Sequence, residues 1–256
     1  MSAFEIAQLW IYPVKSLGGM AVERVQVTAA GSFHGDREWI VTRPDGKMLW
    51  QGDVPAMTLL SARIEHDCLV LEGPEPADRI IVAPTEGAPA DVLQYGYRLA
   101  GHDQGEAAAS WLSERLSTPC RLVRVGQAAH DWGGLNPLHA ISMISLASLN
   151  ARLGMLQPPI EPERFRPNIV LSGDHQPFEE ERIGALDLGA ARLLLREPCT
   201  RCELPNISRA DATRSRQPLK LIGAMSKERG STRPAAFGIY SRAEGLDLRF
   251  GQVSHI

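Results

Sequence analysis

The chain has 256 residues, enough for one large domain or two small ones around a sizeable core. Hydrophobic residues make up 44% and charged residues 22%, the balance of a soluble globular protein. A net charge of −3 offers no global basic field for nucleic acid, and no apolar run is long enough for a membrane span. The N-terminus lacks the basic start and apolar core of a signal peptide, and four cysteines in this length do not read as a disulfide framework. Together these place the chain in a reducing cytoplasm, where a CxxC serves as a ligand or redox pair.

Residues 5–12 mix β-branched and aromatic side chains and stop at Pro13, which predicts a strand. Residues 22–27 alternate with a period near two. Residues 39–42 lead into Arg43-Pro44-Asp45-Gly46, a hairpin turn with 47–50 as the return strand. Short strands are expected over 59–64, 68–71, 79–82 and 95–99. So many short strands suggest a barrel or sandwich.

The period then changes. Asp103 as cap and Glu106 as its reciprocal partner predict a helix carrying Ala107, Ala108, Trp111, Leu112 and Leu116 and ending near Pro119. A strand at 122–125 and a loop or lid over 128–137 follow. A strand over 140–144 leads to a helix capped by Ser145 and stopped by Gly154. Strands are expected over 168–171, 183–188 and 191–195. The polar stretch 206–233 reads as a long loop with one helical turn near 219–225, before closing strands at 237–240 and 246–250. The fold class is mainly β with a few helices, divided as 1–101 and 102–256.

Four runs carry candidate chemistry. Tyr12-Pro13-Val14-Lys15-Ser16 sets a lysine and a serine before Gly18-Gly19, a pattern that holds phosphate by charge and backbone donors. Gly35-Asp36-Arg37 opens a strand, and His34 adjoins it. In Arg166-Pro167-Asn168, proline stiffens the backbone ahead of an asparagine able to read a heterocycle edge. In Pro198-Cys199-Thr200-Arg201-Cys202, a structural zinc site lacks two further ligands at ligand spacing, and Pro205 argues against the helix of a thioredoxin-type pair. Buried inert cysteines remain a further reading. A single thiolate on a soft metal is the other, and it requires a cofactor with its own ligands for the rest of the coordination sphere.

Taken together, these runs resemble the MOSC domain family, named for the C-terminal region of molybdenum cofactor sulfurases. The resemblance is to the branch of the mitochondrial amidoxime reducing component and its bacterial relatives. Tyr12 to Ser16 and Asp36-Arg37 look like its N-terminal MOSC β-barrel region. Phe165-Arg166-Pro167-Asn168 and Pro198 to Cys202 look like the MOSC-type β-barrel proper. The resemblance implies a molybdenum cofactor, Mo-molybdopterin, with Cys202 as the metal ligand and catalytic residue, and Cys199 not a ligand. It implies cofactor contacts from Lys15, Ser16, Arg37, Arg166 and Asn168. His139 stands, beside Leu138, where relatives carry a hydroxyl-rich contact. Reduction of N-hydroxylated or N-oxide small molecules follows. Electrons would come from a separate donor protein of flavoprotein, ferredoxin or cytochrome b5 type. The alternative implied by the same cysteine is a sulfur or molybdenum-cofactor carrier.

Overall fold

The computed structural model of the chain describes residues 2–130, 136–154 and 158–255. The fold is mainly β, as the sequence predicts, with three α-helices among the described residues.

Strand β1 (Ala3–Ile11) alternates buried and half-buried residues, bulges between Ile6 and Gln8, and stops before Pro13. The strand expected over 22–27 is two short ones, β2 (Met20–Val22) on β1 and β3 (Arg24–Gln26) in a separate sheet. β4 (Trp39–Thr42) forms as expected. The turn after it closes, with Arg43 N donating to Lys47 O at 2.8 Å, but 47–50 is no strand. One bridge joins Thr42 to Met48, and Lys47 pairs with Leu93 instead.

β5 (Ser61–Glu65), β6 (Cys68–Glu72) and β7 (Arg79–Val82) form an antiparallel meander. β8 (Pro89–Gln94), not anticipated, pairs with β9 (Tyr97–Asp103) across a turn at Tyr95-Gly96. Helix α1 (Glu106–Leu116) starts from Gly105, not Asp103. Asp103 closes β9, accepts from Gly105 N at 2.7 Å, and is held by Arg121 at 2.6 Å. β10 (Arg121–Arg124) pairs with both β4 and β9. Of the loop expected over 128–137, residues 131–135 lie outside the described residues.

β11 (Leu138–Ser142) runs into α2 (Met143–Leu153). Ser142 caps that helix, accepting from Ile144 N and Ser145 N at 3.1 and 3.3 Å. The expected cap, Ser145, points inward and donates to Glu180 at 2.9 Å. Gly154, at φ +70, ends α2 as expected. β12 (Ile169–Ser172) lies parallel to β11, which the α2 crossover permits. β13 (Ala185–Asp187) and β14 (Arg192–Thr200) follow, and β14 extends far enough to carry Cys199.

The expected loop over 206–233 contains a full helix, α3 (Leu219–Glu228), whose Ile222 and Met225 pack with Phe237. β15 (Ala236–Glu244), β16 (Asp247–Arg249) and β17 (Val253–His255) complete the chain. β16 pairs with β3.

The large sheet has the order β13-β14-β15-β11-β12-β1-β17, with β2 also on β1. Its central strands β11 and β12 are buried on both faces. Ala140 and Ile169 join Phe4, Ile6 and Leu193 on one side. Ile141 and Val170 join Leu146, Phe165 and Phe237 under α2 and α3 on the other. Hence β11 is buried throughout and its sequence reads as a continuous run rather than an alternation.

Candidate functional site

All seven residues singled out in the sequence, namely Lys15, Ser16, Arg37, His139, Arg166, Asn168 and Cys202, border one cavity of about 360 Å³. They come from five separate segments. His34 is exposed and does not border it.

The cavity wall is fixed by backbone pairing between distant runs. Val14 bridges Trp39 in parallel, and Lys15 N donates to Trp39 O at 2.9 Å. Arg37 N donates to Tyr12 O at 2.7 Å, and buried Asp36 accepts from Tyr12 N at 2.8 Å. Asn168 and Trp10 are paired through the backbone, as are Asn168 and His139. Four residues on the wall, Ser16, Arg37, Tyr95 and Arg166, hold φ between +50 and +70. Non-glycine residues reach that region at a cost of about 1 kcal/mol or more each, which the surrounding contacts must offset. Strain of this kind clusters at functional sites.

Arg37 is braced on three sides. Its Nη1 donates to Asp36 and, at 3.0 Å, to Asn168 Oδ1, and its Nη2 donates to Arg166 O at 3.3 Å. Asn168 also accepts from His139 N and donates to Trp10 O, so its carboxamide orients neighbours. Arg166 lies 4.3 Å from the Tyr12 ring centroid and donates through Nη1 to Leu17 O. Lys15 lies 4.9 Å from the Tyr95 ring centroid.

Positive charge is in excess. Burial, with Arg37 and Arg166 adding to it, pushes the Lys15 ammonium down to about 7. Burial and Arg37 likewise lower Arg166 to about 10. Of these cations, Arg37 is paired with a buried carboxylate, Asp36. The His139 ring is held neutral by burial and by Arg201, and its Nε2 lies 3.2 Å from Phe237 O.

Cys199 is buried on β14 and Cys202 is exposed just beyond it. Arg201 ties this segment down. Its Nη1 donates to Cys199 Sγ at 3.0 Å and its Nη2 to Phe165 O at 2.8 Å. Tyr95 and Tyr240 complete the wall and were not foreseen. The Tyr95-Gly96 dipeptide, an aromatic at a tight turn, was the available signal for the first.

An anionic organic group fits this donor set. It would answer the unmatched cations and give the exposed thiol a metal, with its own sulfur ligands completing the sphere. Gln94 Oε1 and Arg201 Nε, buried in the wall, have no hydrogen-bond partner among the described residues and suit a polar heterocycle.

The MOSC N-terminal beta barrel domain matches residues 3–119 and the MOSC domain matches residues 115–252. The chain is 33% identical over 241 residues to mitochondrial amidoxime-reducing component 1 of Homo sapiens, covering 85% of this chain and 70% of that protein. It is 31% identical over 227 residues to mitochondrial amidoxime reducing component 2 of Rattus norvegicus, covering 79% and 66%. It is also 26% identical over 280 residues to molybdenum cofactor sulfurase of Oryza sativa subsp. japonica, covering 96% of this chain and 33% of that protein. With both parts matched in order along one continuous chain, this protein belongs to the MOSC domain family.

Proposed function

We propose that the chain binds the molybdenum cofactor in this cavity and reduces N-hydroxylated or N-oxide compounds in the cytoplasm with electrons from a separate donor protein. The observation that carries the reading is the convergence of Lys15, Arg37 and Arg166 on the cavity that Cys202 borders. The likeness to amidoxime-reducing components supports the reaction class.

Each residue has a distinct part. Lys15 and Arg166 neutralise the cofactor's phosphate, and Ser16 adds a hydroxyl beside them. Arg37, held by Asp36 and Asn168, presents a fixed cation. His139, neutral and buried, contributes shape and no charge. Cys202 offers its sulfur to the metal from the exposed side, where a small substrate also enters. The chemistry such a cofactor supplies is the two-electron removal of oxygen from an N–OH or N–O bond, with two protons consumed and water released. The segments 1–101 and 102–256 both supply contacts in this proposal.

A second reading, a sulfur or cofactor carrier, draws on the exposure of Cys202 and on the sulfurase likeness. The test is to purify the chain from a cofactor-producing host and measure Mo and pterin per polypeptide, then benzamidoxime reduction with a strong artificial donor. The expected result is about one Mo per chain, lost in Cys202→Ala, with turnover. Cofactor without turnover supports the carrier. Absence of both Mo and pterin from the wild type sinks the reductase and the cofactor carrier, and absence of a persulfide on Cys202 as well sinks the sulfur carrier.

A further inference from the structure

Behind Arg166 lies a second, much smaller pocket, walled by Tyr12, Gly18, Gly19, Glu163, Arg164 and Arg166. Its volume is about 10 Å³, room for about one water. Gly19 closes it because a Cβ there would meet the Tyr12 ring at 2.5 Å.

Four atoms of these wall residues are buried with no hydrogen-bond partner among the described residues: Tyr12 Oη, Glu163 Oε2, Arg164 Nε and Arg166 Nη2. Native interiors rarely leave such groups unpaired, and four on residues that line one small space point to something held there. The remaining atoms are engaged. Arg166 Nη1 reaches Leu17 O and Arg164 Nη2 reaches Pro205 O. Arg209 Nη1 stands 3.8 Å from Glu163 Oε2, too far for a hydrogen bond. Tyr12 is 1% exposed, and burial, reinforced by Asp36 and Glu163 against Arg166 and Arg37, keeps its phenol protonated.

We propose that this pocket is a built hydration site in which one water bridges Glu163, Arg164, Arg166 and Tyr12. The atoms balance. The water accepts from Arg164 Nε and Arg166 Nη2 and donates to Glu163 Oε2. Tyr12 Oη, both donor and acceptor, takes the remaining position. The consequence lies on the far side, because Arg166 also borders the large cavity. With Nη1 fixed on Leu17 O and Nη2 fixed on the water, the guanidinium cannot swing. Glu163 is thus a positioning residue for Arg166. The water site rests on packing alone; its effect on cofactor hold rests on the proposed function.

The test is a crystal structure of the cofactor-free chain at a resolution where waters are ordered. One peak is expected within hydrogen-bond distance of at least three of the four atoms, in the wild type and in Glu163→Gln. It should be absent in Glu163→Leu, whose apolar side chain removes the acceptor and takes up the space; if that variant fails to fold, Arg164→Leu, which removes a donor in the same way, should also lack it. An empty wild-type pocket, direct pairing among the four side chains, or an anomalous peak after a bromide soak overturns the site. In the loaded protein, Glu163→Leu should release pterin about tenfold faster than wild type, with Glu163→Gln within about twofold. Equal release from the leucine variant and wild type overturns the positioning role. A wild type without pterin counts against the proposed function and leaves the water to the diffraction result.

Discussion

Two buried polar regions of this protein handle charge in opposite ways. Beneath α2 and α3, Arg229 makes a two-point pair with Glu181, at 2.6 and 3.1 Å, with side-chain exposures of 12% and 6%. Glu180 beside it accepts from Ser145, and burial pushes its carboxyl up to about 7. That region neutralises itself. Lys15, Arg37, Arg166 and Arg201 all border the large cavity, and among its described lining residues there is no carboxylate; Asp36, behind the wall, pairs with Arg37. A fold that can neutralise buried charge in one place and leaves it unmatched in another marks the second as a place for an outside anion.

The largest effect that tests this contrast is Arg166→Glu. Reversing a charge in the unmatched region should lower pterin and Mo retention at least about a hundredfold, measured per folded polypeptide. Retention at the wild-type level would remove Arg166 from the site. In the balanced region, Arg229→Met should leave retention unchanged. It should instead cost about 4 kcal/mol of unfolding free energy in urea, because Glu181 loses its partner in a buried setting.

The two regions should also titrate in opposite senses in the cofactor-free protein. Glu180 rises from 4.5 to about 7 on folding. Between those values the folded state keeps a proton that the unfolded chain has released. Stability therefore falls as pH rises through that window, by on the order of 3 kcal/mol, and Glu180→Gln should flatten the fall. Lys15 moves from 10.5 down to about 7, so between those values the unfolded chain holds the extra proton. Stability then rises with pH, and Lys15→Met should remove the rise. Bound anion should also remove it by restoring the ammonium. Urea titrations across pH check both limbs. The smallest effect is at the exposed pair Arg152–Glu228, where Arg152→Ala should leave the urea midpoint close to that of wild type.

Local patterns with one clear cause were legible in the sequence. β1 ends at Ile11, just short of Pro13, β7 fills 79–82, and Gly154 stops α2. Errors arose where a side chain had a stronger partner elsewhere. Asp103 is taken by Arg121 and Ser145 by Glu180, so neither caps its helix. α3 was hidden by a sparse apolar face interrupted by Gly223, and its stability comes from packing on Phe237. β8 opens with a proline and mixes polar residues, which concealed it.

At the site, residue types in four short runs, with His139 from a fifth segment, were enough to name seven of the residues that line the cavity. What could not be read was how they are held. The left-handed backbone at Ser16, Arg37 and Arg166 has no glycine to announce it. The bracing of Arg37 by Asn168 spans 131 positions and belongs to tertiary structure alone. Tyr95 and Tyr240, which also border the cavity, come from a turn and a strand whose register one sequence does not fix.

The register of β1 has a practical consequence for handling the molecule. Ala3 is the cross-strand partner of His255, so these two residues are neighbours within one ladder spacing. A short linker can join them, and new ends can be opened at the exposed Pro44-Asp45 corner, giving a circular permutant with the cavity intact. Deleting the first strand does the reverse. It leaves β12 and β17 with raw, unpaired edges facing a slot one strand wide, a template for sticking to any extended peptide, including the missing piece supplied in trans.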